Sequence, residues 1–141
     1  MRVRYSFSSR RTGIIEPGNK HRESFPKQVR EVIRISDIIL QVLDARFLDD
    51  TRNIELETLI LSLGKKIIYV ANKADLVNTI ELRKELENKN LMPYAIVSCK
   101  TQIGHKDLRD RIKIEAKRLA IKGKRAQVSI IGYPNTGKSS L

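Results

Sequence analysis

Residues 127–140 read Gln-Val-Ser-Ile-Ile-Gly-Tyr-Pro-Asn-Thr-Gly-Lys-Ser-Ser, a short β-branched run followed by the pattern G-x-x-x-x-G-K-S. The run predicts a strand over 127–131, and the pattern at 132–139 is typical of a phosphate-binding loop. Glycines let backbone amides turn inward around phosphate oxygens, Lys138 supplies a point charge, and the Ser139 hydroxyl is a ligand that Mg²⁺ accepts. The alternative, a glycine turn that matches the pattern by chance, has a probability of roughly 1% or less.

A second motif lies at residues 72–75, which read Asn-Lys-Ala-Asp and follow a predicted strand over 65–71. The Asp75 carboxylate can accept hydrogen bonds from both N1–H and the exocyclic amino group of guanine, and adenine lacks this donor pair. The Lys73 stem can lie over a purine ring, and Asn72 can tie this loop to the phosphate loop. The alternative is a solvated loop in which Asp75 stands near a helix start.

A third motif, Ser98-Cys99-Lys100, follows a predicted strand over 94–97 and looks like the S-A-K purine loop. In that interpretation Cys99 is a small apolar residue whose backbone N–H faces the base oxygen. The alternative, a reactive or metal-binding thiol, has no partner residue in the sequence. By itself this tripeptide carries almost no information.

Strands and helices alternate along the chain. Short apolar runs predict strands, and apolar residues at helical spacing predict helices. The alternation is typical of an α/β fold with a parallel sheet covered on both faces, whose ligands bind at the carboxyl ends of the strands. All three motifs follow strands, as this architecture requires of a binding site. The predicted strands cover 38–43, 65–71, 94–97 and 127–131, and the predicted helices cover 26–36, 51–63, 79–90 and 105–121.

Composition limits the class of protein. The chain has 141 residues, 40% of them apolar and 31% charged, which is typical of about one globular domain. No apolar run approaches about 20 residues and the N-terminus has no apolar segment, so we expect neither a membrane span nor a signal peptide. The single cysteine, Cys99, excludes an intrachain disulfide framework and a cysteine metal cage. We therefore expect a soluble protein of the cytoplasm.

The positive charge lies at two flanks of the chain. The net charge is +12, with nine basic and three acidic residues in 1–34 and ten basic and three acidic residues in 100–125. An excess of this size favours a nucleic-acid partner, and a solubilising surface is the alternative. Few aromatic residues accompany these charges, so we expect contact with the RNA backbone rather than with bases. The candidate RNA-binding residues are Arg2, Arg4, Arg10, Arg11, Lys113, Lys117, Lys124 and Arg125.

The three motifs together resemble the G4, G5 and G1 motifs of GTP-binding proteins, and their order resembles that of the circularly permuted GTPase family, the YlqF/YawG type. Residues 43–46, Leu-Asp-Ala-Arg, are similar to that family's hallmark strand end. The resemblance covers about residues 26–141. It implies a three-layer αβα P-loop NTPase (Ras-like) fold that is circularly permuted and starts at the usual fourth strand. It also implies a GTPase that hydrolyses GTP to GDP as a switch in ribosome assembly, on the ribosomal RNA of a ribosomal subunit.

The family's motif pattern implies the residues that would hold the nucleotide. Lys138 is the expected catalytic residue, because it would stabilise charge that develops on the phosphates. Ser139 is the expected Mg²⁺ ligand, and Asn135 resembles the potassium-coordinating asparagine of K⁺-stimulated GTPases. The expected cofactors are therefore GTP or GDP, Mg²⁺ and K⁺. The nucleotide-binding set is Asn72, Lys73, Asp75, Ser98, Cys99 and Lys100 for the base, and Pro134, Asn135, Thr136, Gly137, Lys138, Ser139 and Ser140 for the phosphates.

Two features depart from the family pattern. A proline usually follows D-A-R soon, whereas none does here, which we interpret as loop variation. The sequence stops at Leu141, two residues beyond the phosphate-loop serine, so the switch I threonine and the D-x-x-G motif would lie later. We therefore expect a basic arm at 1–25 and a partial G domain at 26–141, without the switches and the P-loop helix. Its strand 127–131 would be an open edge that invites non-native association, and this chain alone would be inactive.

Three functions stay open at this point. The first is a GTPase switch, the second an RNA-binding module whose nucleotide site is vestigial, and the third a P-loop kinase or ATPase. Asp75 counts against the third, because ATP enzymes do not need that carboxylate.

Overall fold

The computed structural model describes residues 25–119 and 125–141, and within them four strands form one parallel sheet. Their order across the sheet is β3-β2-β1-β4, so that β1 lies between β2 and the strand that leads into the phosphate loop. The α/β prediction with a parallel sheet is confirmed. The strands are β1 (Ile38–Asp44), β2 (Lys66–Asn72), β3 (Tyr94–Ile96) and β4 (Val128–Gly132).

Helices cover both faces of the sheet, as the three-layer prediction requires. Alternate residues of a strand point to opposite faces. On β1, Ile39 and Leu43 belong to a core that includes Ile33 and Ile60. Leu40 and the β1 side chains on the same face as Leu40 belong to a second core, which also contains side chains of the helix after β3. The helices of the described residues are α1 (Phe25–Ile35), α2 (Leu48–Thr51), α3 (Ile54–Ser62), α4 (Thr79–Asn88) and α5 (His105–Arg118), and of these only α5 lies on the second face.

β1 and most of β2 are buried on both faces, and this explains why their sequences are mostly apolar, with the buried Gln41 as an exception inside β1. All seven residues of β1 are buried, and so are six of the seven residues of β2. A parallel strand with helices above and below it has no solvent-facing side, so polar alternation is absent. The polar residues that end β1 and β2, Asp44 and Asn72, are buried as well. Two buried polar side chains therefore lie at the carboxyl edge of the sheet, where the loops meet.

One predicted helix is wrong in its extent. The prediction of a single helix over 51–63 is replaced by α2, which ends at Thr51, and α3, which begins at Ile54. Between them the backbone is extended, and the Asn53 side chain accepts a hydrogen bond from the Leu56 amide at 3.0 Å. A side-chain oxygen that satisfies a free amide starts a helix, and this local cap outweighs the apolar periodicity.

The remaining element ends differ by one to three residues. α4 ends at Asn88 instead of residue 90, and α5 ends at Arg118, while residues 120 and 121 of its prediction lie outside the described residues. A short 3₁₀ turn, Ala74–Leu76, follows β2 and was not predicted. A second 3₁₀ turn, Lys138–Ser140, follows the phosphate loop.

β4 is an edge strand of the described sheet, as predicted for this part of the chain. Val128 and Ile130 of this strand are partly exposed. Ile131 is buried in the core beneath α1 and α3. No helix of the described part of the chain is long and apolar enough to cross a membrane. The predicted basic arm at 1–25 lies almost wholly outside the described residues.

Candidate nucleotide-binding site

The three motif loops meet at the carboxyl edge of the sheet. The register pairs Asp44 with Asn72 at the ends of β1 and β2, and pairs Val42 of β1 with Gly132 at the end of β4. Since all strands are parallel, the loops that follow them emerge on the same side. Motifs that are far apart in sequence therefore become neighbours in space.

At one position the backbone of the phosphate loop requires glycine. Gly137 has φ +87°, and a Cβ atom added there would lie 2.2 Å from Nδ2 of Asn72. An alanine would be strained in its backbone and would collide with the neighbouring loop. The buried Thr136 hydroxyl donates to the Tyr133 carbonyl at 2.8 Å and closes the turn. Gly137 is thus required by close approach as well as by conformation.

Lys138 is a buried cation. Its side chain is only 6% exposed, and Nζ donates to the Gly132 carbonyl at 2.6 Å. Burial lowers the pKa of this ammonium group. Among residues 25–119 and 125–141, no carboxylate forms an ion pair with it. A buried charge without a counter-charge is costly, so this position favours an anionic ligand.

Asn72 joins all three loops. Its side chain is buried, Nδ2 donates to the Thr136 carbonyl at 2.8 Å, and Oδ1 accepts from the Cys99 amide at 3.3 Å. The first contact is the predicted tie between the phosphate loop and residues 72–75, which are called the purine loop. In the second contact the Cys99 amide donates to Asn72, and its contact with a base oxygen stays a prediction. Burial raises the pKa of the Cys99 thiol.

Lys73 crosses from the purine loop to the phosphate loop. Its backbone is left-handed, with φ +62°, and its Nζ donates to the Asn135 carbonyl at 2.5 Å. The same Nζ lies 3.3 Å from Oδ2 of Asp44. The side chain of Lys73 therefore bridges the end of β1 and the phosphate loop, and its contact with a purine ring stays a prediction.

Asp75 is exposed, and a neighbouring hydroxyl orients its carboxylate. The Ser98 hydroxyl donates to Oδ1 of Asp75 at 2.6 Å and accepts from the Thr101 amide at 3.2 Å. No described group donates to the other oxygen, Oδ2. A carboxylate held in this way can accept two parallel hydrogen bonds from a planar donor pair.

The remaining predicted site residues lie around this centre. Pro134, Asn135, Ser139, Ser140 and Lys100 are exposed at the same edge. The Ser140 amide donates to the Gly137 carbonyl at 3.0 Å and begins the 3₁₀ turn. Of the candidate RNA-binding residues, Lys113, Lys117 and Arg125 are exposed, and Arg2, Arg4, Arg10, Arg11 and Lys124 lie outside the described residues.

Sequence reasoning did not assign a role to Asp44 and Arg46. Arg46 donates to the Asp44 carboxylate from Nε at 3.1 Å and from Nη2 at 2.9 Å, and Asp44 also lies beside Lys73. Burial by itself would raise the pKa of Asp44, but the hydrogen bonds from Arg46 and Lys73 lower it to about 2. The sequence signal that could have identified these two residues is the D-A-R pattern at the end of a buried strand.

Comparison with known proteins places these features in a family. No family model matches the chain. An uncharacterized GTP-binding protein of Methanocaldococcus jannaschii is 47% identical over 117 residues, which cover 82% of this chain and 30% of that protein. The GTPase grn1 of Schizosaccharomyces pombe is 31% identical over 137 residues, which cover 85% of this chain and 29% of that protein. The nuclear GTP-binding protein NUG1 of Saccharomyces cerevisiae is 32% identical over 151 residues, with 86% and 26% covered.

Two solved structures share the fold. GNP-bound YlqF from T. maritima superimposes with a TM-score of 0.58 at 24% identity, covering 84% of this chain and 46% of that chain. A GDP-bound structure of the T. maritima protein gives a TM-score of 0.55, covering 80% and 44%. The chain spans less than a third of the length of the three relatives described above. From its motif order, its sheet and these relatives, we conclude that the chain belongs to the circularly permuted GTPase family of the YlqF type.

Proposed function

We propose that the protein binds GDP and GTP at the carboxyl edge of its sheet and acts, as part of a GTPase, in ribosome assembly. One observation carries the nucleotide part of this proposal. The loop with the oriented Asp75 carboxylate is fastened to the loop of the buried Lys138 ammonium through the Asn72 side chain, at 2.8 Å. A carboxylate and a buried cation at one sheet edge match the two ends of a guanine nucleotide, its donor edge and its phosphates.

Guanine selection would rest on Asp75. Its oxygens would accept from N1–H and the exocyclic amino group, while Ser98 keeps the carboxylate in orientation. With adenine in the same place, the carboxylate would face an acceptor and stay unpaired, which is unfavourable. A kinase or ATPase has no use for this arrangement, and the GTP-binding relatives also disfavour that alternative.

The phosphates would lie against the phosphate loop and Lys138. The Lys138 ammonium would neutralise their charge and stabilise charge that develops during transfer. The exposed Ser139 hydroxyl, in the turn directly after Lys138, fits a Mg²⁺ ion that is shared with the phosphates. The exposed Asn135 has its backbone at φ +65° and could offer its amide oxygen to K⁺. Equal rates of GTP hydrolysis in K⁺ and in Na⁺ would contradict the proposed potassium site.

The test of the nucleotide site is a change of base specificity. We expect Asp75→Asn to weaken GDP binding and to favour xanthosine diphosphate, because an amide donates where the carboxylate accepted. Isothermal titration with GDP, xanthosine diphosphate and ADP measures the change. The matched control is Asp50→Asn, which removes an exposed carboxylate from α2. Unchanged GDP affinity in Asp75→Asn would contradict the guanine assignment.

A partner with phosphate groups, which we propose to be ribosomal RNA, is supported by the charge of α5. Lys106, Arg109, Lys113 and Lys117 recur every three or four residues, so they share one side of this helix, and all four are exposed. None of them is paired with a carboxylate of the described residues. A row of exposed cations without carboxylate partners is the usual electrostatic footprint of a surface that binds a nucleic-acid backbone.

The RNA proposal is tested by charge reversal. We expect the pair Lys113→Glu and Lys117→Glu to weaken binding to a duplex RNA and to lower the slope of log affinity against log salt by about one per lost contact. The matched control reverses Arg83 and Lys84, two exposed cations of α4 on the opposite face of the sheet. A flat salt response of the unmodified chain would defeat the proposal. RNA binding that is insensitive to nucleotide and to Lys138→Ala would favour the RNA-binding module instead of the switch.

A further inference from the structure

Asp44 ends the inner strand β1 and lies beside Lys73 of the purine loop. Its side chain is buried, with 4% of the residue exposed. Its Oδ1 accepts from the Arg46 amide at 3.0 Å and from Arg46 Nε at 3.1 Å, and its Oδ2 accepts from Arg46 Nη2 at 2.9 Å. The carboxylate is thus held rigidly by the residue two positions later. A second cation, Lys73, approaches the same Oδ2 at 3.3 Å.

The Lys73 ammonium joins this carboxylate to the phosphate loop. Its Nζ donates to the main-chain carbonyl of Asn135 at 2.5 Å while it contacts Asp44. The contacts form one line, from the end of β1 through a lysine of the purine loop to the phosphate loop. Lys73 has four rotatable side-chain bonds, and a charge at a fixed place restricts where its ammonium can lie.

Asp44 carries its negative charge over the working pH range. The hydrogen bonds from Arg46 and Lys73 keep its pKa at about 2, despite burial, which acts in the opposite direction. Arg46 also lies over the Phe47 ring, 5.2 Å from its centroid. Arg46 is partly exposed and stays beside Asp44, so it balances the buried charge without competing for the Asn135 carbonyl.

We propose that Asp44 is a positioning residue, which holds the Lys73 ammonium on the Asn135 carbonyl and so fastens the purine loop to the phosphate loop. The inference rests on the proposed nucleotide function, because the expected consequence is slow release of GDP. With Asp44 in place, Lys73 is ordered before the base arrives. Without it, Lys73 loses its charged partner, the two loops move more independently, and the nucleotide leaves faster.

The test is the rate of GDP release, followed with a fluorescent GDP analogue. We expect Asp44→Asn to release GDP about tenfold faster, the effect of losing one charge-assisted hydrogen bond. Lys73→Met should release it at least as fast. Because Asp44 acts through Lys73, the double variant should be no faster than Lys73→Met alone. Effects that multiply in the double variant, or a wild-type rate in Asp44→Asn, would overturn the proposal.

The matched control is Asp49→Asn. It removes an exposed carboxylate that pairs with Lys89 at 2.6 Å and has no hydrogen bond or ion pair with residues of the three motif loops. Its GDP release should equal that of the unmodified chain. Should Asp44→Asn fail to fold, Asp44→Glu takes its place, with an expected rate between those of the unmodified chain and Lys73→Met. A wild-type rate for Asp44→Glu would then overturn the inference.

A readout without nucleotide separates this inference from the proposed function. Amide chemical shifts of residues 135–137 in the ligand-free protein should change in Asp44→Asn and in Lys73→Met, in the same direction, and not in Asp49→Asn. If GDP does not bind at all, the proposed function fails, but these chemical shifts still test whether Asp44 acts through Lys73 on the phosphate loop. If GDP binds and the shifts in Asp44→Asn stay at their wild-type values, the positioning role fails alone.

Discussion

A buried carboxylate at the amino end of the sheet and a buried ammonium at its carboxyl end are balanced in different ways. At the amino ends of the strands, Asp37 accepts from the Gln127 amide at 2.7 Å, and the buried Glu115 pairs with Lys66 at 3.4 Å and with Arg118 at 3.1 Å. At the carboxyl ends, the buried Lys138 has a carbonyl as its hydrogen-bond partner and no acidic partner among the described residues. The buried Glu115 thus has its counter-charges, whereas the buried Lys138 has none among the described residues.

This difference separates stabilising groups from binding groups. A buried charge with its counter-charge in place costs stability when one partner is removed. A buried charge without a counter-charge is already unfavourable, so its removal should stabilise the ligand-free chain. Substitutions at the two ends should therefore change stability and affinity in opposite combinations.

The largest expected effect is that of Lys138→Met. We expect GDP affinity to fall about 10- to 100-fold, because a charge-assisted contact with phosphate is lost. The melting temperature of the ligand-free chain should stay the same or rise, because a desolvated ammonium is replaced by an apolar side chain. Titration calorimetry and thermal unfolding check the two parts. A lower melting temperature would mean that Lys138 stabilises the fold, as Glu115 is expected to do, and would contradict the proposed difference between the two ends of the sheet.

The counterpart at the amino end is Glu115→Ala. We expect the free energy of unfolding to fall by about 1–3 kcal/mol, because Lys66 loses its carboxylate partner and a buried side chain is truncated. GDP affinity should not change beyond the effect of lower stability. Denaturant unfolding and titration on the same variant provide the comparison. A loss of affinity at temperatures where the variant is fully folded would contradict it.

A pH series sharpens the same comparison. The pKa of Lys138 is lowered by burial in the folded state, so the unfolded state binds its proton more tightly. The stability of the ligand-free chain should therefore rise as the pH increases from the folded pKa towards the ordinary value of 10.5. GDP affinity should fall over the same range, because the ammonium loses its charge. Lys138→Met should show neither trend, and identical pH profiles in both proteins would refute the assignment.

The smallest expected effect concerns the edge strand β4. It is paired only with β1 among the described strands, and Val128 and Ile130 are partly exposed. An open edge can pair with a second chain, so we expect weak self-association at high protein concentration. Val128→Lys should reduce it, because a charge on an edge strand opposes pairing. Sedimentation velocity over a concentration series measures the change, and concentration-independent sedimentation of the unmodified chain would exclude this association.

Most of the site could be predicted because its motifs are local. The phosphate loop, Asn72 to Asp75 and Ser98 to Lys100 each read as short patterns after a strand, and the structure brings them to one edge. The contact of Cys99 with Asn72 could not be predicted, because it depends on the distance between two loops. The break between α2 and α3 was missed, because one Asn53 cap outweighs an apolar periodicity that continues across it.

The sequence by itself determined the parallel α/β architecture, the three motif loops and the family resemblance. Each of these depends on residues that are close in the chain: alternating apolar runs, a glycine pattern and short polar motifs after strands. Only the tertiary structure decided that Asp44 faces Lys73, that Lys73 reaches Asn135, and that Lys138 is buried without a carboxylate partner in the described part of the chain. These contacts join residues 29 to 62 positions apart, and their distances are set by strand order and register, which no local pattern encodes.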